Sequence, residues 1–295
     1  MWRSELKASL ISGLILLSGM QAHAREFSVM TYNLHNFRLD DRDNDGKEDD
    51  PKPDTECRAI ARIIAQANPD ILAIQEIGST PFLHAFQAWL KTEGLKYDYV
   101  EMLQRGDREC NLAVLSRFPI VGSTHHTNEW YSIGKARIAV ARGFLETEIQ
   151  VDDSYSFHLV NAHLKSKVFS RLGQTEMRRN EARLLNKTVR RILEENEGCK
   201  LIVTGDMNDN PNSAAIREVT GKSRKNLFDL RPTDATGDAW TYYAKSAEMH
   251  TRFDYIFANA EMLGDAVPEK STVIRNPLTY EASDHRPAFV TFLTD

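Results

Sequence analysis

The stretch Val203-Thr204-Gly205-Asp206-Met207-Asn208-Asp209-Asn210-Pro211, read together with Ser283-Asp284-His285-Arg286-Pro287, decides how this chain folds. In each, a short apolar run (Leu201-Ile202-Val203; Ala288-Phe289-Val290) abuts a knot of carboxylate, amide and imidazole groups. A buried strand that releases such groups at its end points them into a cleft, where irregular backbone is tolerated. These are the groups that hold a divalent cation and move protons around a phosphate ester.

The same arrangement recurs along the chain. Phe27 to Tyr32 reads as a strand ending at Asn33, and Asp70 to Gln75 as a near-continuous apolar strand with Glu76 at its end. Cys57, Ile60, Ala61, Ile64 and Ala67 have helical spacing, stopped by Asn68-Pro69, and Phe82, Leu83, Phe86, Trp89 and Leu90 mark a second helix. Leu112–Leu115, Arg137–Ile149 (as a hairpin pair), Phe157–Ala162, Leu201–Thr204, Tyr255–Phe257 and Ala288–Phe292 read as strands. The longest helix runs through Met177, Leu184, Leu185, Val189, Ile192 and Leu193. Strands are numerous and helices separate only some of them, which argues for two packed sheets flanked by helices rather than one parallel doubly wound sheet. Asn33, Glu76, His163, Asp206 and Asn208 each follow an apolar strand, so strand ends sharing one sheet edge would gather them at one mouth.

Composition sets the frame. Met1 to Lys7 is basic, Ala8 to Met20 is apolar, and Gln21-Ala22-His23-Ala24 supplies an A-x-A site, the pattern of a secretory leader over residues 1–24. A mature chain beginning at Arg25 and acting outside the cell or in a periplasm is the expectation. Residues 25–295 contain no linker, repeat or low-complexity tract, which favours a single domain. The 295-residue chain carries a formal charge of −5, and removing the leader's Arg3, Glu5 and Lys7, a net +1, leaves −6. That balance does not attract polyanions over the whole surface, so any nucleic-acid contact depends on a local basic patch. Cys57, Cys110 and Cys199 allow at most one bridge, with Cys57–Cys110 a guess, and match no zinc spacing.

In family terms the chain resembles the endonuclease/exonuclease/phosphatase family, which includes exonuclease III and pancreatic-type deoxyribonuclease. The segments that carry the resemblance are Met30-Thr-Tyr-Asn33, Ile74-Gln-Glu76, Leu115-Ser-Arg-Phe-Pro119, Asn161-Ala-His163, Gly205-Asp206-Met-Asn208, Phe253-Asp254-Tyr-Ile and Ser283-Asp284-His285. They stand in the family's order and span nearly all of residues 25–295. The resemblance implies an α/β four-layer sandwich, two packed mixed β-sheets flanked by helices, and metal-assisted hydrolysis of a phosphoric ester by in-line attack of water.

It also implies roles. Glu76 is the expected metal ligand, with Asn33 orienting or completing the metal set and Asp284 closing the metal or water network; Mg²⁺ or Mn²⁺ is the expected ion. Asp206 is the implied general base and Asn208 its partner. Their spacing of two puts both side chains on one side of an extended segment. An Asx turn is the bland alternative for that Gly-Asp-x-Asn. His163 and His285 are placed to donate to phosphate oxygens, with Asp254 fixing the second histidine's tautomer. Neither Ser166 nor Ser283 has a nucleophile-elbow context. One departure stands out: His35, two residues after Asn33, occupies a position where many relatives carry a carboxylate.

Two further clusters bear on ligands. Asp41, Asp43, Asp45 and Gly46 match the first half of an EF-hand-type loop whose twelfth position is Lys52, so a partial Ca²⁺ site using Asp49 or Asp50 competes with a solvated acidic loop. Lys165, Lys167, Arg171, Arg178, Arg179 and Arg183 concentrate basic charge after His163, with Lys165, Lys167, Arg179 and Arg183 the expected substrate contacts. The expected activity is that of a nuclease-like phosphodiesterase acting on DNA more than RNA. A phospholipid or sphingomyelin phosphodiesterase, a phosphomonoesterase, and a non-catalytic extracellular calcium-binding module are the alternatives. No long apolar segment suited to stable membrane insertion stands out, Trp130-Tyr131 being too short, and no obligate protein partner is evident.

Overall fold

The structure, a computed structural model, describes residues 24–105, 110–221 and 227–294. The leader expected over residues 1–24 therefore lies outside the described residues, apart from Ala24. The first half of the chain forms β1 (Glu26–Phe37), α1 (Asp54–Ala67), β2 (Ile71–Ile77), α2 (Thr80–Thr92), β3 (Tyr99–Leu103), β4 (Asn111–Ser116), β5 (Ile120–His126), β6 (Trp130–Ile133) and β7 (Ala136–Ala139). Next come β8 (Phe144–Gln150), β9 (Ser156–His163), α3 (Gln174–Glu195), β10 (Leu201–Asp206), α4 (Ala214–Thr220), β11 (Phe228–Asp229), β12 (Tyr242–Ala244) and β13 (Met249–Thr251). The chain closes with β14 (Asp254–Ala258), α5 (Ala260–Leu263), β15 (Ala266–Val273), α6 (Thr279–Ala282) and β16 (Ala288–Leu293).

Two six-stranded sheets result, in the orders β15-β16-β1-β2-β4-β3 and β11-β14-β10-β9-β8-β5. Both are mixed, because β1 runs parallel to β2 and β9 parallel to β10 while the other pairings are antiparallel. Alternate residues of the apolar strands serve two different cores. Val29, Ile71, Ala73, Leu159, Ile202 and Ile256 meet between the sheets. Met30, Tyr32, Leu72 and Ile74 instead pack on Ile60 and Ile64 of α1 and Phe86 of α2. Val160, Val203 and Phe257 pack on Leu185 and Val189 of α3 and Ile216 of α4. A strand buried on both faces has no polar face to show, which is why these read as continuous apolar runs. The order of layers is helix, sheet, sheet, helix, as expected.

Local signals explain the boundaries. α1 opens after Pro53 with Asp54 and Glu56 in its first turn, where the helix dipole favours negative charge. It closes at Asn68, whose left-handed backbone (φ 50°) lets its N–H donate to the Ile64 carbonyl before Pro69 bars continuation. One expectation is corrected. β7 and β8 do not form a hairpin: β7 pairs with β6, and β8 lies between β9 and β5. The tight turn is one element earlier, at Gly134 (φ 57°). The guessed Cys57–Cys110 bridge is also absent, all three cysteines being free.

Register is what assembles the mouth. Asp206 sits directly opposite His163 on β9 and Asp254 on β14, so three adjacent strands of the second sheet end on three functional side chains. All three share the parity of Leu159, Ile202 and Ile256 and so face the first sheet. The bend that releases Asp206 is Gly205, at φ 129°, where a Cβ would lie 1.9 Å from the Ala162 carbonyl oxygen. Gly205→Ala is therefore expected to destabilise the chain by at least about 3 kcal/mol, from forced backbone separation. Urea denaturation would read this as a lower midpoint, and an unchanged midpoint would contradict the close approach.

Candidate active site

Asn33 is the pivot of the mouth. Its side-chain nitrogen donates both to Glu76 Oε1 (3.2 Å) and to Asp206 Oδ2 (3.1 Å), while its oxygen accepts from the His35 N–H (2.9 Å). Asn33 thus orients the two carboxylates, and its oxygen keeps a second lone pair. Glu76 Oε2 also accepts from the Asn36 N–H (2.9 Å), a contact the sequence did not signal. Asp206 Oδ1 accepts from the Asn208 N–H (2.8 Å), and the Asn208 side-chain nitrogen donates to Asp206 Oδ2 and to the Leu164 carbonyl, each at 3.1 Å. Asn208 has φ 52°. The segment is thus an Asx-type turn, and it is this turn, not extended alternation, that sets the amide beside the carboxylate.

The two histidines approach Asp206 from β9 and from the segment between α6 and β16. His163 Nε2 lies 3.4 Å and His285 Nε2 3.8 Å from Asp206 Oδ2. Their charge states are opposite. Burial, reinforced by the positive charge of Arg142, holds His163 well below the usual imidazole range, so its ring is neutral. Burial would lower His285 as well, but Asp254, hydrogen-bonded to its Nδ1 at 2.7 Å, overrides that and holds it well above the usual range. Burial pushes Asp206 up, opposed by His285 and aided by Asp254 and Glu76. Asp254 is itself fixed by its backbone N–H donating to Thr241 Oγ1 (2.9 Å).

These groups open onto a cleft of about 350 Å³ lined by Glu76, His163, Asp206, Asn208, Asp284 and His285, with Lys167 and Phe253 at its side. Tyr242 and Asp284 also line an adjoining groove of about 970 Å³, whose walls include His35, Tyr243, His250 and Tyr280. The aromatic rings there stack on one another: Tyr243 and His250 lie 4.7 Å apart at 26°. His35 fills the position where a carboxylate was noted as usual, and its Nδ1 stands 3.9 Å from Asp284 Oδ1.

The donor set fits a hard divalent cation. Glu76 and Asp284 present carboxylates to one cleft, and Asp284 Oδ1 is buried without a hydrogen-bond partner, as an oxygen reserved for a cation or its water would be. Of the four expected substrate contacts, only Lys167 lines the cleft. Lys165 Nζ turns to Ser166 Oγ (3.2 Å), and Arg179 and Arg183 both pair with Glu218 on α4, at 3.0 and 3.6 Å. Arg178, of the same basic cluster, is buried against Asp209 (3.0 Å). The acidic loop gathers Asp41, Asp43 and Asp50 within 4.8 Å. Asp45 is drawn to Lys47 (2.7 Å) and Asp49 lies outside the cluster, so of the expected calcium set Asp41 and Asp43 come together with Asp50, the alternative to Asp49.

Residues 30–285 match the endonuclease/exonuclease/phosphatase family. No curated protein matches the chain by sequence. Among solved structures, TDP2 of D. rerio in complex with a single-strand DNA product is 18% identical, with a TM-score of 0.61 over 91% of this chain and 99% of that one. The catalytic domain of human Nocturnin with a bound sulfate anion is 18% identical, with a TM-score of 0.63 over 91% and 95% of the two chains. Beta toxin of Staphylococcus aureus is 16% identical, with a TM-score of 0.61 over 90% and 99%. The chain belongs to the endonuclease/exonuclease/phosphatase family and is a metal-dependent phosphoric ester hydrolase.

The Asp254–His285 pair gives a direct test of the electrostatics. In the EDTA-treated protein, Asp254→Asn should lower the His285 pKa, read by NMR titration of the ring. A raised histidine pKa stabilises the fold at low pH, and that contribution fades as pH rises through the raised value. The variant should therefore lose stability relative to wild type below that value and converge with it above.

Proposed function

We propose that this chain is a phosphodiesterase of nucleic acid, cutting an internal phosphodiester by in-line attack of water, with DNA preferred over RNA. The observation that supports this most is the continuity of a compact, cationic-sided phosphate pocket with the larger aromatic groove through Tyr242 and Asp284. A phosphate needs only the pocket. A polymer needs somewhere for its flanking nucleotides, and stacked rings with exposed edges are a platform for bases. The likeness to a TDP2 that holds a single-strand DNA product agrees with this reading.

In this reading Glu76 and Asp284 hold Mg²⁺ or Mn²⁺, which when bound polarises a phosphoryl oxygen. Asp206, raised toward neutrality and facing the cleft, takes the proton of the attacking water, and the Asn208 amide holds its carboxylate in place. His285, kept charged by Asp254, donates to a phosphoryl oxygen as negative charge grows there. Neutral His163 offers one N–H toward the same point. Lys167, over the Phe253 ring at 4.6 Å, supplies a screened positive charge at the rim. Residues 1–24 serve as an export leader, so the working enzyme begins at Arg25, outside the cytoplasm.

A second reading has one observation in its favour. Val168 (71% exposed) and Phe169 (83% exposed) protrude beside the cleft, which Val168 helps to line. An apolar tip flanked by Lys167 and Arg171 suits a headgroup boundary, as a phospholipid phosphodiesterase would need. The two are separated by turnover of plasmid DNA, RNA, sphingomyelin vesicles and inositol phosphates, each with and without EDTA. Nicking of DNA that EDTA abolishes is expected, with Asp206→Asn and His285→Ala each reducing kcat by about 10²–10⁴ in protein whose far-UV circular dichroism matches wild type. Hydrolysis confined to vesicles and lost in Phe169→Ser would overturn the nucleic-acid reading.

A further inference from the structure

Cys110 is a reactive group beside the mouth for which hydrolysis of a phosphate ester has no use. It immediately precedes β4, whose first residue Asn111 pairs with Ile77, so the thiol is delivered to the end of β2 where Glu76 stands. One ligand atom each from Glu76, Cys110 and His163 lie within 4.8 Å of one another. His163 is 1% exposed, and its Nδ1 has no hydrogen-bond partner. A buried imidazole with a nitrogen to spare, brought this close to a thiol and a carboxylate, completes a donor set that a borderline metal takes.

The chemistry of this trio differs from that of Glu76 with Asp284. Mg²⁺ requires oxygen ligands and keeps much of its water, and gains nothing from sulfur. One thiolate, one imidazole and one carboxylate are instead the three-ligand set of an open tetrahedral Zn²⁺ site. We infer that the mouth has two mutually exclusive metal states: a hard-ion state on Glu76 that supports hydrolysis, and a Zn²⁺ state on Glu76, Cys110 and His163 that stops it. This inference rests on the reading of Glu76 as the carboxylate of the hydrolytic metal. On entry of Zn²⁺ the sulfur lone pair forms the metal bond and the thiol proton goes to solvent; no oxidant or reductant is involved. Charge permits it. Arg142 lies beside Cys110 and opposes a cation, but it also interacts with Glu76 and Glu181, and the thiolate formed on metal binding offsets its charge. The Zn²⁺ state withdraws Glu76 from the hard ion and His163 from the phosphate, so it is inhibitory.

The experiment uses the mature chain stripped of metal. Cd²⁺, as a spectroscopic stand-in for Zn²⁺, should give a thiolate-to-metal charge-transfer band saturating at one equivalent. Zn²⁺ should protect Cys110 from alkylation, read by mass spectrometry, at least about tenfold. Cys110→Ala should abolish the band and weaken Zn²⁺ binding, by calorimetry, at least about tenfold, whereas Cys199→Ser should keep the band in full. Zn²⁺ should inhibit Mg²⁺-supported turnover, and excess Mg²⁺ should relieve the inhibition. Equal Zn²⁺ affinity in wild type and Cys110→Ala, or the absence of both band and protection, would overturn the site. Binding through Cys110 that leaves Mg²⁺-supported turnover untouched would overturn the exclusion. Failure of the hydrolase reading would look different: no Mg²⁺-dependent turnover of any phosphoric ester, with the cadmium band intact.

Discussion

The hydrogen bond on which the mouth depends is made by neither a metal ligand nor a proton-transfer group. Gln75 on β2 and Asn161 on β9, both fully buried, join across the gap between the sheets at 2.8 Å. Gln75 also donates to Thr31 Oγ1 (3.0 Å), and Asn161 donates to the carbonyls of Ile74 (2.9 Å) and Ala113 (3.0 Å). A largely apolar inter-sheet core tolerates two amides because they bond one another, Thr31 and two carbonyls, with Gln75 Oε1 alone of their side-chain atoms unpartnered, and removing either strands the other at a cost of about 1–3 kcal/mol. Packing of the surrounding aliphatic side chains is non-directional and would allow the sheets to slide. This clamp fixes which residue of one sheet lies over which residue of the other, and Glu76 and His163 stand one and two residues beyond it.

Once the strand ends are pinned, the electrostatics follow. Desolvation acts on every group at the mouth, yet it drives the two histidines to opposite charge states because only one has a carboxylate on its far nitrogen. His285 keeps its proton at the expense of burying Asp254, whose Oδ1 is left without a partner, while Asp206 faces the opening with its basicity raised. Two carboxylates on neighbouring strands thus perform different tasks: one is committed to a histidine, the other is free to take a proton. That division is a property of register, since Asp206 and Asp254 are directly paired across β10 and β14.

Much of this was legible from residue order. Apolar runs followed by Asn33, Glu76, His163, Asp206 and Asn208 announced strands that end together, and buried strands with no polar face announced the layered architecture. What escaped was whatever depends on partners far along the chain. The basic residues after His163 look like one patch in sequence, but helical rotation turns Arg179 and Arg183 toward Glu218 and buries Arg178 against Asp209. The hairpin of β12 and β13 has only three residues a strand, and residue order does not say that its aromatic side chains line the groove. Gln75 and Asn161 sit inside recognisable motifs, but nothing local says that they meet. Cys110 has no spacing that marks it as a ligand, because its companions are supplied by β2 and β9.

Glu76 shows why irregular backbone at the mouth is a requirement rather than a defect. Its parity along β2 is that of Leu72 and Ile74, which face the helices, so a regular strand would bury its carboxylate among the side chains of α1 and α2. It reaches the cleft because its φ is 63° and the register of β2 against β4 shifts between Gln75 and Ile77. A left-handed conformation costs a non-glycine residue about 1 kcal/mol or more, and here the hydrogen bonds to Asn33 and the Asn36 N–H help to offset it. His35, Asn36 and Asn208 are left-handed at the same level. Two sheets whose strands all ran straight would present only the inward-facing residues of each. Bending both at one height adds the outward-facing carboxylate to the inward-facing imidazoles, and a site that needs an acid, a base and a cation ligand within one small cleft requires both sets.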